Sequence, residues 1–236
     1  MPVFIPNEGV PIDFSQFSYS DISAEGLAVI GANFHPETLV NAYCSGLFPW
    51  YIDSGLPHWF CPDPRMVLFP EHLVISKSMR NVFNQKKFDF SCDTCFDQVI
   101  RSCADVKRKH DDMTWIDHNF IGAYNQLHDM GLAHSFEAWQ DGNLVGGLYG
   151  VAIGQVFFGE SMFSIKPNAS KAAFIQAVRF LSLNDFKLID CQVYTEHLSS
   201  LGAMTISRDE FIFNYLVQLL PHESLNERKW TELFVR

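Results

Sequence analysis

Two periods of apolar and polar positions alternate along this chain, one of two residues and one of about three and a half. The two-residue period is clearest in Leu144–Val151 and Gln155–Phe163, aromatic-rich runs either side of Ile153-Gly154, which predict a β-hairpin closed by a glycine turn. Strands are also predicted at Ala133–Gln140, with Asp141-Gly142 as the turn after it, at Arg65–Pro70 and at Lys187–Val193. Helical spacing with start and stop signals predicts Pro36–Ser45, opened by Pro36 and ended by Gly46. Further helices are predicted at Ser76–Asn84, at Thr94–Ala104 with Asp97 in capping-box spacing, and at His118–Met130 between Asp117 and Gly131. Another starts at Asn168 or Ser170 and runs to Leu183, and a last one opens at Ser207-Arg208-Asp209-Glu210 and stops at Pro221.

Between these elements, residues 1–24 read as an extended arm pinned by Phe4, Phe14, Phe17 and Tyr19. Leu47–Trp59 reads as a tight aromatic loop, and Asp105–Asp112 as a charged one. Pro62-Asp63-Pro64 divides a small N-terminal domain, 1–63, from a larger one, 64–236. The order in the larger part is strand, helices, three strands, helix, strand, helix, a mixed α+β arrangement.

Polar residues that interrupt apolar strands are the candidate chemistry. Glu160 lies in the second strand of the hairpin between Gly159 and Ser161-Met162. A carboxylate there costs free energy unless it is paired or used, and the glycine leaves room for close approach to the backbone. In Lys187–Val193, period-two alternation puts Leu188, Asp190 and Gln192 on one face and Ile189, Cys191 and Val193 on the other.

Composition narrows the function. At 236 residues, 47% hydrophobic and 19% charged, the chain is ordinary for a soluble globular protein. It has no apolar run of transmembrane length and no signal-peptide pattern at its start. Six scattered cysteines add to the expectation of a reducing cytoplasm. A net charge of −10 excludes nucleic-acid binding through bulk charge, so any such contact must use a local patch. Two patches qualify: Lys77, Arg80, Lys86 and Lys87, then Arg101, Lys107, Arg108 and Lys109; each reads equally as a solvated surface. Cys92-x-x-Cys95 has metal-ligand spacing but no second pair at a fitting distance, so no metal is expected. No glycine-rich phosphate loop is present, no cofactor is expected, and His134 and His197 read as structural.

Nine segments in order, from Glu25 to about Leu220, resemble the bacterial leucyl/phenylalanyl-tRNA–protein transferases: EGLAVIGA, GLFPWY, WFCPDPRMVL, MTWI, LHDMGLAHSFE, LVGGLYGVAIGQVFFGESMFS, NASK, LIDCQV and LGA. The chain departs from that family's pattern at Gly31-Ala32-Asn33-Phe34 (usually GGDL), at Cys61 (usually Ser) and at Leu148 (commonly Met). The last bears on selection of the aminoacyl side chain.

The resemblance implies a small N-terminal α/β domain and a GNAT-like acyltransferase domain with a mixed, mostly antiparallel sheet. It implies transfer of Leu or Phe, with Met as a further donor, from aminoacyl-tRNA to proteins whose first residue is Lys or Arg, marking them for N-degron proteolysis. A monomer is expected. Aminoacyl-tRNA is an activated ester, so the enzyme has only to place its carbonyl against a neutral α-amine, whose free pKa is near ~8.

The site residues implied are Asp190, Gln192 and Glu160 for catalysis. Gln192 would accept a hydrogen bond from the amine, Asp190 would polarise the network or receive the proton, and Glu160 would order the hairpin and attract the cationic acceptor. Substrate binding falls to Leu148, Phe158, Gly159, Ser161, Phe163 and Ile189 around the aminoacyl group. Trp50 and Trp115 fall at the terminal adenosine. Lys77, Arg80, Lys86, Lys87, Lys107, Arg108 and Lys109 would track tRNA phosphates. Two other readings stand beside this one: a CoA-dependent N-acetyltransferase of the same fold, and a non-catalytic reader of basic protein N-termini. Against the first, Lys166–Lys171 lacks the glycines of a pyrophosphate loop.

Overall fold

A computed structural model describes residues 1–15, 17–105, 118–222 and 230–234. Its elements are β1 (Val3–Ile5), β2 (Leu27–Gly31), α1 (Pro36–Cys44), β3 (Phe48–Asp53), β4 (Leu56–Phe60), β5 (Arg65–Leu68), α2 (Lys77–Asn84), β6 (Asp89–Cys92) and α3 (Phe96–Asp105). They continue with α4 (His118–Asp129), β7 (Ala133–Gln140), β8 (Asn143–Ile153), β9 (Val156–Ser164), α5 (Ala169–Leu183), β10 (Leu188–Gln192), α6 (Glu196–Ser199) and β11 (Met204–Ile206). After β11 come a π-helical segment, Glu210–Leu216, then α7 (Val217–Leu219) and α8 (Trp230–Phe234).

The strands make two sheets, one ordered β1-β2-β4-β3 and one ordered β11-β5-β10-β9-β8-β7-β6. In the larger sheet every neighbouring pair is antiparallel except β9 with β10. This is the mixed, mostly antiparallel α+β architecture expected from the sequence. The parallel pair is forced by its connection: α5 carries the chain from the end of β9 back to the start of β10. Ten of its residues, among them Ala169, Ala173, Phe174 and Leu181, are buried. Gly146 on β8 lets the start of that helix come close, because a Cβ there would lie 2.6 Å from the Ala169 Cβ.

Two apolar cores flank the larger sheet. One joins α3 and α4 to the smaller sheet and α1, through Val99, Tyr124 and Phe158 on one side and Leu39, Tyr43 and Trp59 on the other. The second lies beneath α2, α5 and α8, around Met79, Phe136, Phe174 and Trp230. The two sheets thus share a core.

Several elements differ from expectation. Leu47–Trp59 is no loop: β3 and β4 form a hairpin through Ser54-Gly55. Pro49 and Pro57 disguise it, and Pro49 is tolerated because β3 is the edge strand of its sheet. The arm contains β1, which pairs in parallel with β2. The short strands β6 and β11, each at an edge of the larger sheet, carry too few residues to show a period. At Ser207 the cap forms, its Oγ accepting from the Glu210 N–H at 3.1 Å, but the helix is π-wound over Glu210–Leu216.

Candidate active site

β9 and β10 are paired only from Val156–Leu188 to Phe158–Asp190, and beyond that point they part. The separation opens a cavity of about 550 Å³. Its walls include Gly159–Met162 from β9, Ile189–Leu198 (all but Glu196) from β10, the turn after it and α6, and Phe48, Pro49 and Trp50 from the smaller sheet. Leu148, Met162, Phe174, Ile189 and Leu198 make an apolar lining; Glu160 and Gln192 supply polar groups. A volume of this size holds a small-molecule-sized ligand, well short of a whole macromolecule.

The polar residues here form one connected chain. Gln192 Nε2 donates to Glu160 Oε1 at 2.8 Å, and the Tyr124 hydroxyl donates to Oε2 at 3.0 Å. The Tyr43 and Tyr124 hydroxyls share a short hydrogen bond. Burial pushes the Glu160 carboxyl up to about 7, against the pull of the Tyr43 and Tyr124 hydroxyls; the charge of Asp190 adds to the rise and the Gln192 amide opposes it. Burial, then the Glu160 charge, holds both tyrosines well above the usual phenol range, so they stay donors.

The Asp190 carboxylate is held by a different partner. Arg65 Nε and Nη2 grip its two oxygens at 2.8 and 2.6 Å, and both side chains are 0% exposed. The guanidinium also donates to the Gly46 carbonyl at 3.1 Å and lies over the Phe48 and Phe211 rings. Burial works against the Arg65 charge, yet the charge and hydrogen bonds of Asp190 more than offset it and hold the guanidinium above its usual range. The remaining link is through backbone: the Gln192 N–H donates to Asp190 Oδ1 at 2.9 Å.

Strict alternation would set Asp190 and Gln192 side by side. The ladder instead slips between them, and Gln192 has φ 62°, so the strand turns there. That turn sends the Gln192 amide to Glu160, leaving Asp190 locked on Arg65.

Of the residues expected at the site, Glu160, Gln192, Asp190, Trp50, Leu148, Gly159, Ser161 and Ile189 border the cavity. Phe158 and Phe163 do not: both are core residues, Phe158 with its ring 5.0 Å from that of Tyr43. Strict alternation would set them on opposite faces, but the irregularity between Tyr149 and Gly150, which leaves Glu160 as the extra residue of β9, brings both to the core side with Tyr149 and Val151. Lys77 and Arg80 on α2, and Lys86 and Lys87 just after it, are exposed and lie outside the cavity lining. Trp115, Lys107, Arg108 and Lys109 lie outside the described residues.

Sequence pattern does not single out Arg65, Tyr43 or Tyr124 as site residues. Arg65 does leave a signal, a cation at the head of the apolar run RMVL, whereas the tyrosines look like ordinary core. Of the two histidines expected to be structural, His134 has a partner, Asp93, at 2.8 Å, and His197 borders the cavity.

A parallel strand pair splays around this cavity with the crossover helix behind it, the arrangement anticipated for a GNAT-like fold. The sequence carries the identification further. The family model for leucyl/phenylalanyl-tRNA protein transferase matches residues 67–215, and the model for that family's N-terminal domain matches residues 32–63. A leucyl/phenylalanyl-tRNA–protein transferase of Syntrophobacter fumaroxidans is 46% identical over 98% of this chain and 96% of its own. One of Desulfatibacillum aliphaticivorans is 44% identical over 97% and 96%. The chain belongs to the leucyl/phenylalanyl-tRNA–protein transferase family and is an aminoacyltransferase.

Solved structures resemble it far less. A GCN5-related N-acetyltransferase from Kribbella flavida matches 61% of the chain at 11% identity and TM-score 0.39; L-PGS from Bacillus licheniformis matches 69% at 13% and 0.41. The chain spans about half the length of each, 55% and 53%.

Proposed function

We propose that this protein moves Leu, Phe or Met from aminoacyl-tRNA to the α-amine of proteins that begin with Lys or Arg, as a cytoplasmic monomer that marks them for N-degron proteolysis. In this reading the division between the domains falls at residues 63 and 64. The observation that carries it is a carboxyl, Glu160, raised to about 7 and bordering an apolar cavity that can take an aminoacyl group.

The chemistry is built on the hydrogen bonds. The Gln192 amide nitrogen is committed to Glu160, so its carbonyl oxygen is the part that can accept from the incoming amine. The ammonium gives a proton to the Glu160 carboxylate, and the neutral nitrogen attacks the ester carbonyl. A C–N bond forms, the C–O bond to the ribose breaks, the proton held on Glu160 leaves on the ribose oxygen, and the new amide nitrogen sheds its second proton to solvent. Tyr124 and Tyr43 steady the carboxylate while it is charged. Asp190, gripped by Arg65, fixes the strand turn that aims Gln192; it does not take the proton. Leu148, Met162, Phe174 and Ile189 receive the aminoacyl side chain, and Trp50 the terminal adenosine; the family resemblance assigns Trp115 the same ligand. Arg80 and the neighbouring lysines meet phosphates further along the acceptor stem.

The CoA reading is disfavoured by the first turn of α5. Its donors are used internally: Ala169 N–H to the Lys166 carbonyl at 3.1 Å and Ser170 N–H to Ser164 Oγ at 3.2 Å. The test is to incubate charged tRNA with peptides beginning with Lys, Arg or Ala. A mass gain of one Leu or Phe on the first two alone is expected; binding without product would favour a reader of basic N-termini.

A further inference from the structure

The β3–β4 hairpin carries a row of aromatic rings that begins inside the cavity and continues outside it. Along β3, Pro49 pairs with Trp59 and Tyr51 pairs with His58, so Trp50 is the extra residue of a bulge. Without that bulge, Trp50 and Tyr51 would face opposite sides of the sheet. With it, both rings meet Phe60, at 4.9 and 5.5 Å between centroids. The row starts with Phe48 and Trp50, which line the cavity, and passes over Phe60 to Tyr51. Tyr51 then stacks on His58 at 4.8 Å and 20° between planes. The His58 ring is itself held, its Nδ1 lying 3.0 Å from the Leu56 carbonyl, and it is buried while Tyr51 is 36% exposed. Tyr51 is thus a partly exposed ring backed by a fixed one, and it shares Phe60 with the cavity-lining Trp50.

We infer that Tyr51, backed by His58, is a second stacking platform, which takes a base of the single-stranded 3′ end next to the terminal nucleotide held at Trp50. The inference rests on the aminoacyl-tRNA reading and extends that site outward. Its chemistry is specific: residues 48–60 contain no Lys or Arg, so the hairpin offers π faces and no phosphate contact. Stacking of this kind tolerates any base and is insensitive to salt, unlike the phosphate contacts proposed for Arg80 and its neighbours.

The experiment compares two donors with the full chain: an amino acid esterified to adenosine, and the same amino acid esterified to the 3′-terminal trinucleotide. Tyr51→Ala is expected to raise KM for the trinucleotide ester roughly 5- to 10-fold, at low and high salt alike, and to leave KM for the adenosine ester and both kcat values unchanged. Tyr51→Phe should behave as the parent. Tyr51→Leu, which keeps apolar packing on Phe60, should behave as the alanine variant. Equal changes for both donors, or none, would overturn the platform, as would a change confined to KM for the acceptor peptide. If the parent chain turns over neither ester, the aminoacyl-tRNA reading fails and this inference with it; turnover of both with no selective loss removes the platform alone.

Discussion

Two glutamates of the larger sheet, Glu160 on β9 and Glu137 on β7, have carboxyls that burial raises. Around Glu137, the Ser135 and Ser91 hydroxyls donate to one oxygen each, and Trp139 Nε1 donates to Ser91 Oγ at 2.7 Å. Asp93, next to this group, accepts the Ser135 N–H and pairs with His134, whose ring stacks on Trp230. Glu137 is 0% exposed and lies away from the cavity. Glu160 has the same number of strong donors, but one belongs to a side chain at a broken strand edge and the carboxyl borders open space. Satisfaction of hydrogen bonds does not separate the two glutamates; access to the cavity does.

The largest effect should come from the strut beside Glu160. Asp190→Ala leaves the Arg65 charge buried with no partner, and unfolding in denaturant should show a loss of about 3–5 kcal/mol together with loss of transfer. Replacing both, as Arg65→Met with Asp190→Leu, should return most of the stability. Transfer that survives in Asp190→Ala with unchanged stability would show that the pair is no strut.

Next comes the direct contrast. Glu160→Gln should lower kcat by roughly 10²–10⁴-fold while the protein stays folded. Glu137→Ala should do the reverse, costing about 1–3 kcal/mol as its serine donors lose their acceptor, with kcat of the folded protein intact. If both variants behave alike, the distinction drawn from access is wrong.

The acidity of Glu160 sharpens the contrast by pH. A carboxyl raised on folding favours the folded state while it can stay protonated, so its contribution is whole below pH 4.5 and lost as pH rises towards about 7. Glu160→Gln should therefore stabilise the protein at pH 8 relative to the parent, by on the order of 3 kcal/mol at most, and much less near pH 4.5. The same ionisation should appear as an acid limb in kcat with its midpoint near 7, absent from the variant. A parent profile without that limb would remove Glu160 as the proton acceptor.

The smallest effect belongs to the exposed cations on α2. Lys77→Ala with Arg80→Ala should reduce the slope of log KM for charged tRNA against log salt by roughly 1–2. An unchanged slope would leave α2 a solvated face packed on the core through Met79 and Val82.

Much of the fold was legible in the chain because long elements repeat their period several times. The strand Ala133–Gln140 and the helix ending at Leu183 match the structure at those bounds. Short or proline-bearing elements were not legible, β3 and β4 above all, and with them went the aromatic row that Tyr51 ends. At the site, Glu160 stood out as a carboxylate in an apolar strand, and Gln192 was marked by its place in LIDCQV. Their meeting was not written there, since alternation placed Gln192 beside Asp190.

By itself the sequence determined the longer strands and helices, the family the chain resembles and the few polar residues that interrupt its apolar strands, because these depend on neighbours along the chain. Only the tertiary structure decided what each polar residue touches. Arg65 and Asp190 are separated by 125 positions, and Tyr43 and Tyr124 by 81. No local period encodes such pairings. The positive φ of Gln192, a single backbone turn in β10, accompanies the meeting of its amide with Glu160 at the edge of a cavity, while Asp190, two residues earlier, pairs with the buried Arg65.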